Sequence, residues 1–160
     1  MPAVRKCRTV SVIRKVMTSS VVHPSEQERW EIRIDKEADI VAVRQRVREI
    51  AKEHRFDQFA VAALTTAASE LSRNVWVHAR KGVARINVLL NGNKVGVELE
   101  FVDQGPGIAD LNRALAGGFS TANSLGLGLS GTKRLVDEFS IETAAGRGTK
   151  IVIRKWKRDF

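Results

Sequence analysis

The chain has little cysteine and no long apolar run, and these two absences exclude several classes of protein. Cys7 is the single cysteine among 160 residues, which excludes a disulfide framework and a thiolate metal cluster. No run approaches the length that spans a bilayer, and Arg14 and Lys15 interrupt the N-terminal stretch where a signal peptide would have its apolar core. We therefore expect a cytoplasmic protein without a membrane segment.

Internal repeats and low-complexity segments are also missing, and the chain is too short for two comfortable domains. Residues 1–29 lack a clean apolar period and contain Pro24 and a Ser-Ser pair, a composition typical of a flexible segment. The sequence therefore predicts a flexible basic extension over residues 1–29 and one folded domain over residues 30–160.

The formal net charge of +9 is concentrated at the two ends of the chain. Residues 1–29 hold six Lys or Arg against two Glu, and residues 150–160 hold five against one Asp. Residues 30–149 hold 16 basic and 15 acidic residues, and this nearly neutral core disfavours a nucleic-acid-binding protein. The basic ends are either solvated tails or an electrostatic arm for an acidic partner.

Apolar periodicity predicts the element order β, α, α, β, β, lid, α, β, β. The predicted elements are a strand at 30–34, helices at 40–54 and 57–79, strands at 83–90 and 95–102, a mobile loop at 105–125 with a short helix at 110–115, a helix at 127–138, and strands at 139–143 and 149–156. Antiparallel pairs beside grouped helices are typical of the α+β class. We expect a two-layer sandwich with helices on one face of a mixed, mostly antiparallel sheet.

Glu70 and Asn74 lie four residues apart in the second predicted helix, so both side chains project from one helical face. An amide oxygen can hold Mg²⁺ beside phosphates and waters, and a nearby carboxylate can deprotonate a hydroxyl that attacks a terminal phosphate. Asn74 is thus a candidate metal ligand and Glu70 a candidate base. The alternative is an ordinary solvated helix face.

Asp103 follows the apolar strand at 97–102 and precedes Gln-Gly-Pro-Gly. A partly buried carboxylate there needs a hydrogen-bond donor, and the exocyclic amino group of adenine supplies one where guanine would present an acceptor. Gly105 and Gly107 would let the backbone lie against the base. The alternative is an ordinary Pro-Gly turn after a strand.

The stretch from Gly126 through Gly128 to Gly131 matches a GxGxxG pattern without its dinucleotide-binding context, because a polar loop and not a strand precedes it. A Walker loop fails as well, since Gly131 is followed by Thr-Lys, the wrong order for that motif. What remains is a helix start whose free N–H groups and dipole favour phosphate.

Four stretches in this order, residues 70–74, 103–107, 126–129 and 146–149, resemble the N, G1, G2 and G3 boxes of the GHKL ATP-binding superfamily. The chain is similar, more closely, to bacterial switch protein-serine/threonine kinases of the RsbT type, the stressosome branch of the anti-sigma factor regulatory kinases. The segments that carry this closer resemblance are residues 64–74, 79–82, 119–121 and 133–139. The resemblance covers residues 30–157.

The resemblance implies a GHKL sandwich with a mobile ATP lid, ATP and Mg²⁺ as cofactors, and Glu70 as base, Asn74 as Mg²⁺ ligand and Asp103 as adenine contact. The residues that would shape the pocket are Gly105, Gly107, Gly126, Gly128, Gly146 and Gly148, with Thr149 near the base. It also implies a serine/threonine kinase that phosphorylates a STAS-domain antagonist or scaffold protein in a stress-response partner switch. A phosphatase or a sigma-regulatory protein would be a further partner.

Three other functions share these boxes. An anti-sigma factor kinase that also sequesters a sigma factor would differ in a surface that motifs do not reveal. A non-catalytic ATP-gated binding module would need no base, which the presence of Glu70 disfavours. A histidine-kinase catalytic fragment would need a dimerising phosphoacceptor helix, and the sequence shows none.

Overall fold

The computed structural model describes residues 5–6, 24–116 and 128–159. The elements in chain order are β1 (Arg5–Lys6), β2 (Ser25–Ile34), α1 (Ala38–Glu53), α2 (Gln58–Ala79), β3 (Gly82–Asn91), β4 (Lys94–Asp103), α3 (Leu111–Ala116), α4 (Gly128–Leu135), β5 (Glu138–Thr143) and β6 (Thr149–Trp156). From β2 onwards this is the predicted order. The last part of the predicted lid, residues 117–125, lies outside the described residues, as do residues 126 and 127.

The described strands form one sheet in the order β1-β2-β3-β4-β6-β5, and every neighbouring pair is antiparallel. The α+β class is confirmed, but the prediction of a mixed sheet is wrong for the described strands. A single crossover helix between β2 and β3 would make them parallel. Here two packed helices, α1 and α2, separate these strands and return the chain to the end at which β2 finished.

Strand β2 begins at Ser25, five residues before the predicted strand start at Trp30. Residues 25–29, which the sequence assigned to the flexible extension, pair with β3 and so belong to the sheet. The register shifts between Glu26 and Glu28, so a bulge breaks the alternation of side chains by which a strand is recognised. The short strand β1 then pairs with the far edge of β2.

Helices α1 and α2 cover one face of the sheet, and the core lies between these two layers. Trp30, Ile86, Leu99 and Ile153 stand opposite one another on β2, β3, β4 and β6, and each is at most 1% exposed. Burial of a Leu or Ile side chain stabilises a fold by about 1.5–3 kcal/mol. This row therefore fixes the register of the sheet, since a slip of one residue would turn it toward solvent.

The opposite face of the sheet carries a charge ladder, which we define as Glu31, Arg85, Glu98, Glu100, Glu138 and Arg154. Arg85 bonds Glu31 across β2 and Glu100 across β4, and Arg154 Nε lies 2.7 Å from Glu98 Oε2. Arg154 Nη1 also lies 2.8 Å from Glu138 Oε2. The hydrogen bond that Arg85 donates to Glu31 raises the pKa of Arg85. For Arg154, burial lowers the pKa, but the hydrogen bonds that it donates to Glu98 and Glu138, together with the charges of these carboxylates, outweigh burial, so the net shift is upward.

Side-chain hydrogen bonds fix the start of α2 and the end of α4. Asp57 caps α2 by accepting hydrogen bonds from the N–H groups of Phe59 at 2.9 Å and Ala60 at 3.0 Å. Helix α4 ends at Leu135, three residues before the predicted end, because Asp137 bonds β6 instead: its N–H donates to Arg154 O and its Oδ2 accepts from Trp156 N–H. None of the helices in the described ranges has the length and apolar character that crossing a membrane requires.

Candidate functional site

Helices α2 and α3, strands β4 and β6 and the start of α4 enclose a cavity of about 340 Å³, within the range of small-molecule sites. Five of the residues that the sequence singled out line it together: Asn74, Asp103, Gly107, Gly128 and Thr149. Its remaining walls include Leu71, Val75, Phe101, Leu129 and Ile151, which give it an apolar floor. The cavity thus combines an apolar lining with several polar groups.

Asn74 and Glu70 share one face of α2 but not one environment. Asn74 is half-buried and lines the cavity. Glu70 lies one turn earlier, about 6 Å along the helix axis, is 1% exposed and does not line the cavity. Its Oε1 has no hydrogen-bond partner among the described residues. A buried carboxylate oxygen without a donor costs free energy, so this position suits a group that meets a hydroxyl or a cation during function.

Asp103 holds the turn that follows β4 and still has capacity to bind. Its Oδ1 accepts a hydrogen bond from Gly105 N–H at 2.9 Å. Its Oδ2 makes no hydrogen bond within the described part of the chain and is therefore available to a donor in the cavity. A Cβ at Gly105 would approach Ala79 Cβ to 2.6 Å, so the glycine lets this turn lie against the end of α2.

The turn after β4 interlocks with the turn between β5 and β6. Gly107 and Gly148 both have positive φ, at +70° and +76°. A Cβ on Gly107 would overlap the carbonyl oxygen of Ala144, and a Cβ on Gly148 would overlap that of Asp103. Gly146 N–H donates to Pro106 O at 2.7 Å. The two predicted glycine turns therefore form one rigid wall. Their backbones are in direct contact, because neither glycine carries a side chain that would keep them apart.

Thr143, which the sequence did not single out, sits at the centre of this wall. Its Oγ1 accepts from Ile108 N–H at 2.9 Å and donates to Gly148 O at 3.0 Å. It also lies 2.9 Å from Thr149 Oγ1. Because a hydroxyl has a single proton, the Thr149 hydroxyl must be the donor in that contact, and its lone pairs stay free. Thr143 ends a strand, where threonine is common, so no sequence signal marked it.

Sequence reasoning also missed three polar residues that line the cavity, His78, Asp110 and Arg113. His78 follows Asn74 by four residues on α2, so helical spacing could have placed it on the same face. Arg113 lies in α3, where its N–H is bound by Asp110 Oδ1 at 3.0 Å. These residues add polar and charged groups beside the apolar floor.

Helix α4 begins at Gly128, which has a φ of +53° and lines the cavity. This start lies one residue from the predicted helix start at residue 127, although residues 126 and 127, including Gly126 of the third predicted box, lie outside the described residues. The first N–H groups of a helix have no intrahelical partner, so this end of α4 favours an anion in the cavity. Within the described ranges, no cluster of three or more His, Cys, Asp or Glu side chains could hold a metal.

Comparisons with known proteins agree with this geometry. Residues 32–155 match the model of the histidine kinase-like ATPase domain. The chain is 47% identical over 127 residues to the serine/threonine-protein kinase RsbT of Bacillus subtilis (strain 168), covering 79% of this chain and 96% of RsbT. It is 29% identical over 102 residues to the anti-sigma F factor of Thermoanaerobacter sp. (strain X514), covering 60% of this chain and 70% of that factor.

A solved structure shows the same fold. The RsbU and RsbW domains of a Mycobacterium tuberculosis protein align with a TM-score of 0.55 at 21% identity, over 81% of this chain and 33% of that one. The chain therefore spans about a third of that structure, and this likeness concerns the fold alone. From the domain match and the similarity to RsbT, the chain belongs to the histidine kinase-like ATPase family and, within it, to the RsbT-like serine/threonine-protein kinases.

Proposed function

We propose that this protein binds MgATP in the cavity and phosphorylates a serine or threonine of a STAS-domain antagonist or scaffold protein, in a stress-response partner switch of the bacterial cytoplasm. The observation that carries this proposal is that Asn74, Asp103, Gly107, Gly128 and Thr149, from four separate segments, line one cavity. Similarity to RsbT supports the reaction class. The folded kinase domain would then extend to residue 160 and include β2 from Ser25.

Adenine would occupy the end of the cavity formed by Asp103 and Thr149. Both residues present acceptors. Asp103 Oδ2 makes no hydrogen bond within the described chain, and the Thr149 hydroxyl already donates its one hydrogen bond to Thr143, which leaves its lone pairs to accept. The exocyclic amino group of adenine is a donor and satisfies them, whereas O6 of guanine is an acceptor and would leave them unpaired. This pairing supports ATP as the nucleotide, with the base held against the rigid wall.

The phosphates would lie toward the start of α4, where the free N–H groups near Gly128 favour negative charge. Asn74 lines the same cavity and offers an amide oxygen, a ligand type that suits Mg²⁺ when phosphates and waters complete the set. Bound Mg²⁺ would neutralise charge that builds up on the phosphates during transfer. The residues present therefore fit a metal shared between protein and nucleotide.

Glu70 would act as the general base. As the substrate oxygen bonds the γ-phosphorus, the hydroxyl proton would pass to the Glu70 carboxylate, and the bond to ADP breaks with its electrons on the leaving oxygen. The buried and unbonded Oε1 supports this role, because no donor in the described chain competes for it. The role requires the substrate hydroxyl to come within hydrogen-bond distance of Glu70.

A second candidate is an anti-sigma factor kinase that also holds a sigma factor. The 29% identity to the anti-sigma F factor favours it, and the 47% identity to RsbT favours the first function. Binding of a sigma factor by the purified protein, measured with and without MgATP, separates the two. A non-catalytic ATP-gated module would leave the buried Glu70 without a role.

The decisive experiment incubates the protein with γ-labelled ATP, Mg²⁺ and the STAS-domain proteins encoded beside it. We expect label on a serine or threonine of one of them, and a Glu70→Gln variant should lower the transfer rate by about 10²–10⁴-fold while it still binds ATP. Glu53→Gln, on the exposed end of α1, is the matched control and should transfer at the normal rate. No transfer by the natural chain would overturn the kinase proposal, and transfer by Glu70→Gln would remove Glu70 as base.

A further inference from the structure

Phe59 is the most exposed large apolar side chain in the described part of the molecule. It is 78% exposed, against 49% for Val41 and 38% for Val77. Its backbone is fixed at the start of α2, because its N–H donates a hydrogen bond to the Asp57 cap at 2.9 Å. A single exposed apolar residue is ordinary on a protein surface, and its meaning depends on what surrounds it.

Two surface grooves are lined by residues of α2. The first, of about 650 Å³, lies between α2, the end of α4 and β6, and Phe59 lines it. The second, of about 530 Å³, lies between α2 and α1. We call the docking face the uncharged residues of α2 that line these grooves and are not buried. They are Gln58, Phe59, Ala62, Ala63, Thr65 and Thr66.

Basic residues border the docking face on both sides. They are Arg48 and Lys52 in the groove beside α1, and Arg134, Lys155 and Arg158 in the groove beside α4. Lys155 is paired with Asp137, while the other four form no ion pair with any described residue. Asp57 is the one acidic residue that lines either groove, and its carboxylate is engaged in capping α2.

From this arrangement we infer that the docking face binds an acidic amphipathic segment of a partner protein. An apolar side chain of that segment would pack on Phe59 and the small residues Ala62 and Ala63, and flanking carboxylates would meet the basic rims. Duplex nucleic acid would bring charge, but its bases are stacked inside the duplex and offer no apolar group to Phe59. A lipid surface would need several apolar residues to protrude together, whereas Phe59 is the one strongly exposed large apolar residue of this face among the described residues.

The docking face and the nucleotide cavity are joined by α4 but do not overlap. Gly128 and Leu129 line the cavity, whereas Arg134 and Leu135 line the groove beside Phe59. An eight-residue helix is about 12 Å long, which separates the two surfaces. A docked segment would therefore leave the cavity open. The inference does not depend on phosphoryl transfer, and a protein without kinase activity could dock a partner in the same way.

The test uses the full chain and a labelled peptide of about 18 residues, in which Leu and Phe recur at helical spacing and Glu fills the flanking positions. A second peptide of the same pattern carries Lys in place of Glu. We expect the acidic peptide to raise fluorescence anisotropy with saturable binding that weakens with salt, and the Lys peptide to bind at least about tenfold more weakly.

Matched variants assign the binding to this face. Arg134→Glu and Lys133→Glu change the charge equally, in the same last turn of the same helix, but Lys133 lines neither groove. We expect Arg134→Glu to weaken peptide binding about tenfold and Lys133→Glu by less than about threefold. Phe59→Ala should weaken it by about tenfold or more, while Val41→Ala should leave it unchanged. Far-ultraviolet circular dichroism and thermal unfolding check that each variant is folded.

Any one of three results would overturn the inference. The first is that the acidic peptide does not bind. The second is that Lys133→Glu weakens peptide binding as much as Arg134→Glu does, which would show attraction to net charge alone. The third is that vesicles of phosphatidylcholine with phosphatidylglycerol, or duplex DNA, bind more tightly than the peptide and lose affinity in Phe59→Ala. That result would assign the face to a membrane or to nucleic acid.

Discussion

The hydroxyl of Thr143 lies 2.9 Å from that of Thr149, and the direction of the hydrogen bond between them is fixed by the backbone around it. The Thr143 hydroxyl donates its hydrogen bond to Gly148 O, so the Thr149 hydroxyl must be the donor in its contact with Thr143. A residue outside the cavity lining thereby decides that Thr149 offers only acceptors to whatever enters.

Replacing Thr143 by Val should weaken ATP binding without unfolding the chain. The change removes the acceptor of Ile108 N–H and frees the Thr149 hydroxyl to rotate, so we expect a loss of about 1–2 kcal/mol, or about 5- to 30-fold in Kd. Thr143→Ser keeps the hydroxyl and should stay within about threefold of the natural chain. Isothermal titration with ATP measures both, and equal losses in the two variants would contradict the proton order.

Two glycines with nearly equal φ separate backbone strain from steric overlap. Gly146 has a φ of +75° and open space around its missing Cβ, whereas Gly148 has a φ of +76° and faces the carbonyl of Asp103. We expect Gly146→Ala to lower the free energy of unfolding by about 1–2 kcal/mol. Gly148→Ala should lower it further and abolish ATP binding. Urea denaturation measures the stabilities, and similar values for both variants would argue against the interlocked wall.

Asp103→Asn should reduce ATP affinity by at least about tenfold while the chain stays folded. The amide can replace the acceptor that holds Gly105 N–H, but its NH₂ then turns a donor toward the amino group of adenine. Asp110→Asn is the matched control, because Asp110 lines the same cavity and its Oδ1 is already bound by Arg113 N–H. Unchanged affinity in Asp103→Asn would discard the adenine contact.

Arg154→Gln should lower the free energy of unfolding by about 1–3 kcal/mol, because it leaves Glu98 and Glu138 without their shared cation. Lys150→Gln is the control: its ion pair with Glu100 spans 3.9 Å and is more exposed, so we expect about 0.5 kcal/mol or less.

The pH dependence of this loss follows from the raised pKa of Arg154. A cation whose pKa is higher in the folded chain contributes its full stability at every pH below its ordinary pKa, and loses it as the pH rises through the folded value. Chemical denaturation should therefore give a constant difference between Arg154→Gln and the natural chain from about pH 6 to about pH 9. A difference that shrinks within this range would show that the guanidinium is not the source.

Periodicity predicted the elements that carry most of the site, because α2 and the strands β3 and β4 have regular buried faces. The first part of β2 escaped prediction, since the bulge near Glu26 disrupts its alternation. Thr143 escaped because its role depends on two backbone groups and the Thr149 hydroxyl, which meet only after β5 and β6 pair. Helical spacing placed Glu70 and Asn74 on one face correctly, but burial depth depends on packing between elements, and only Asn74 lines the cavity.

The charge ladder disfavours association between folded copies of the protein in crowded solutions. A broad open sheet face invites a second sheet to stack on it, which is the first step of association between folded copies. Stacking here would strip water from Glu98, Glu100 and the two arginines, whose partners already lie within the same sheet. A second copy has nothing to offer these groups, so the cost of desolvation is not recovered. The exposed layer of this sandwich therefore acts as its protection against aggregation.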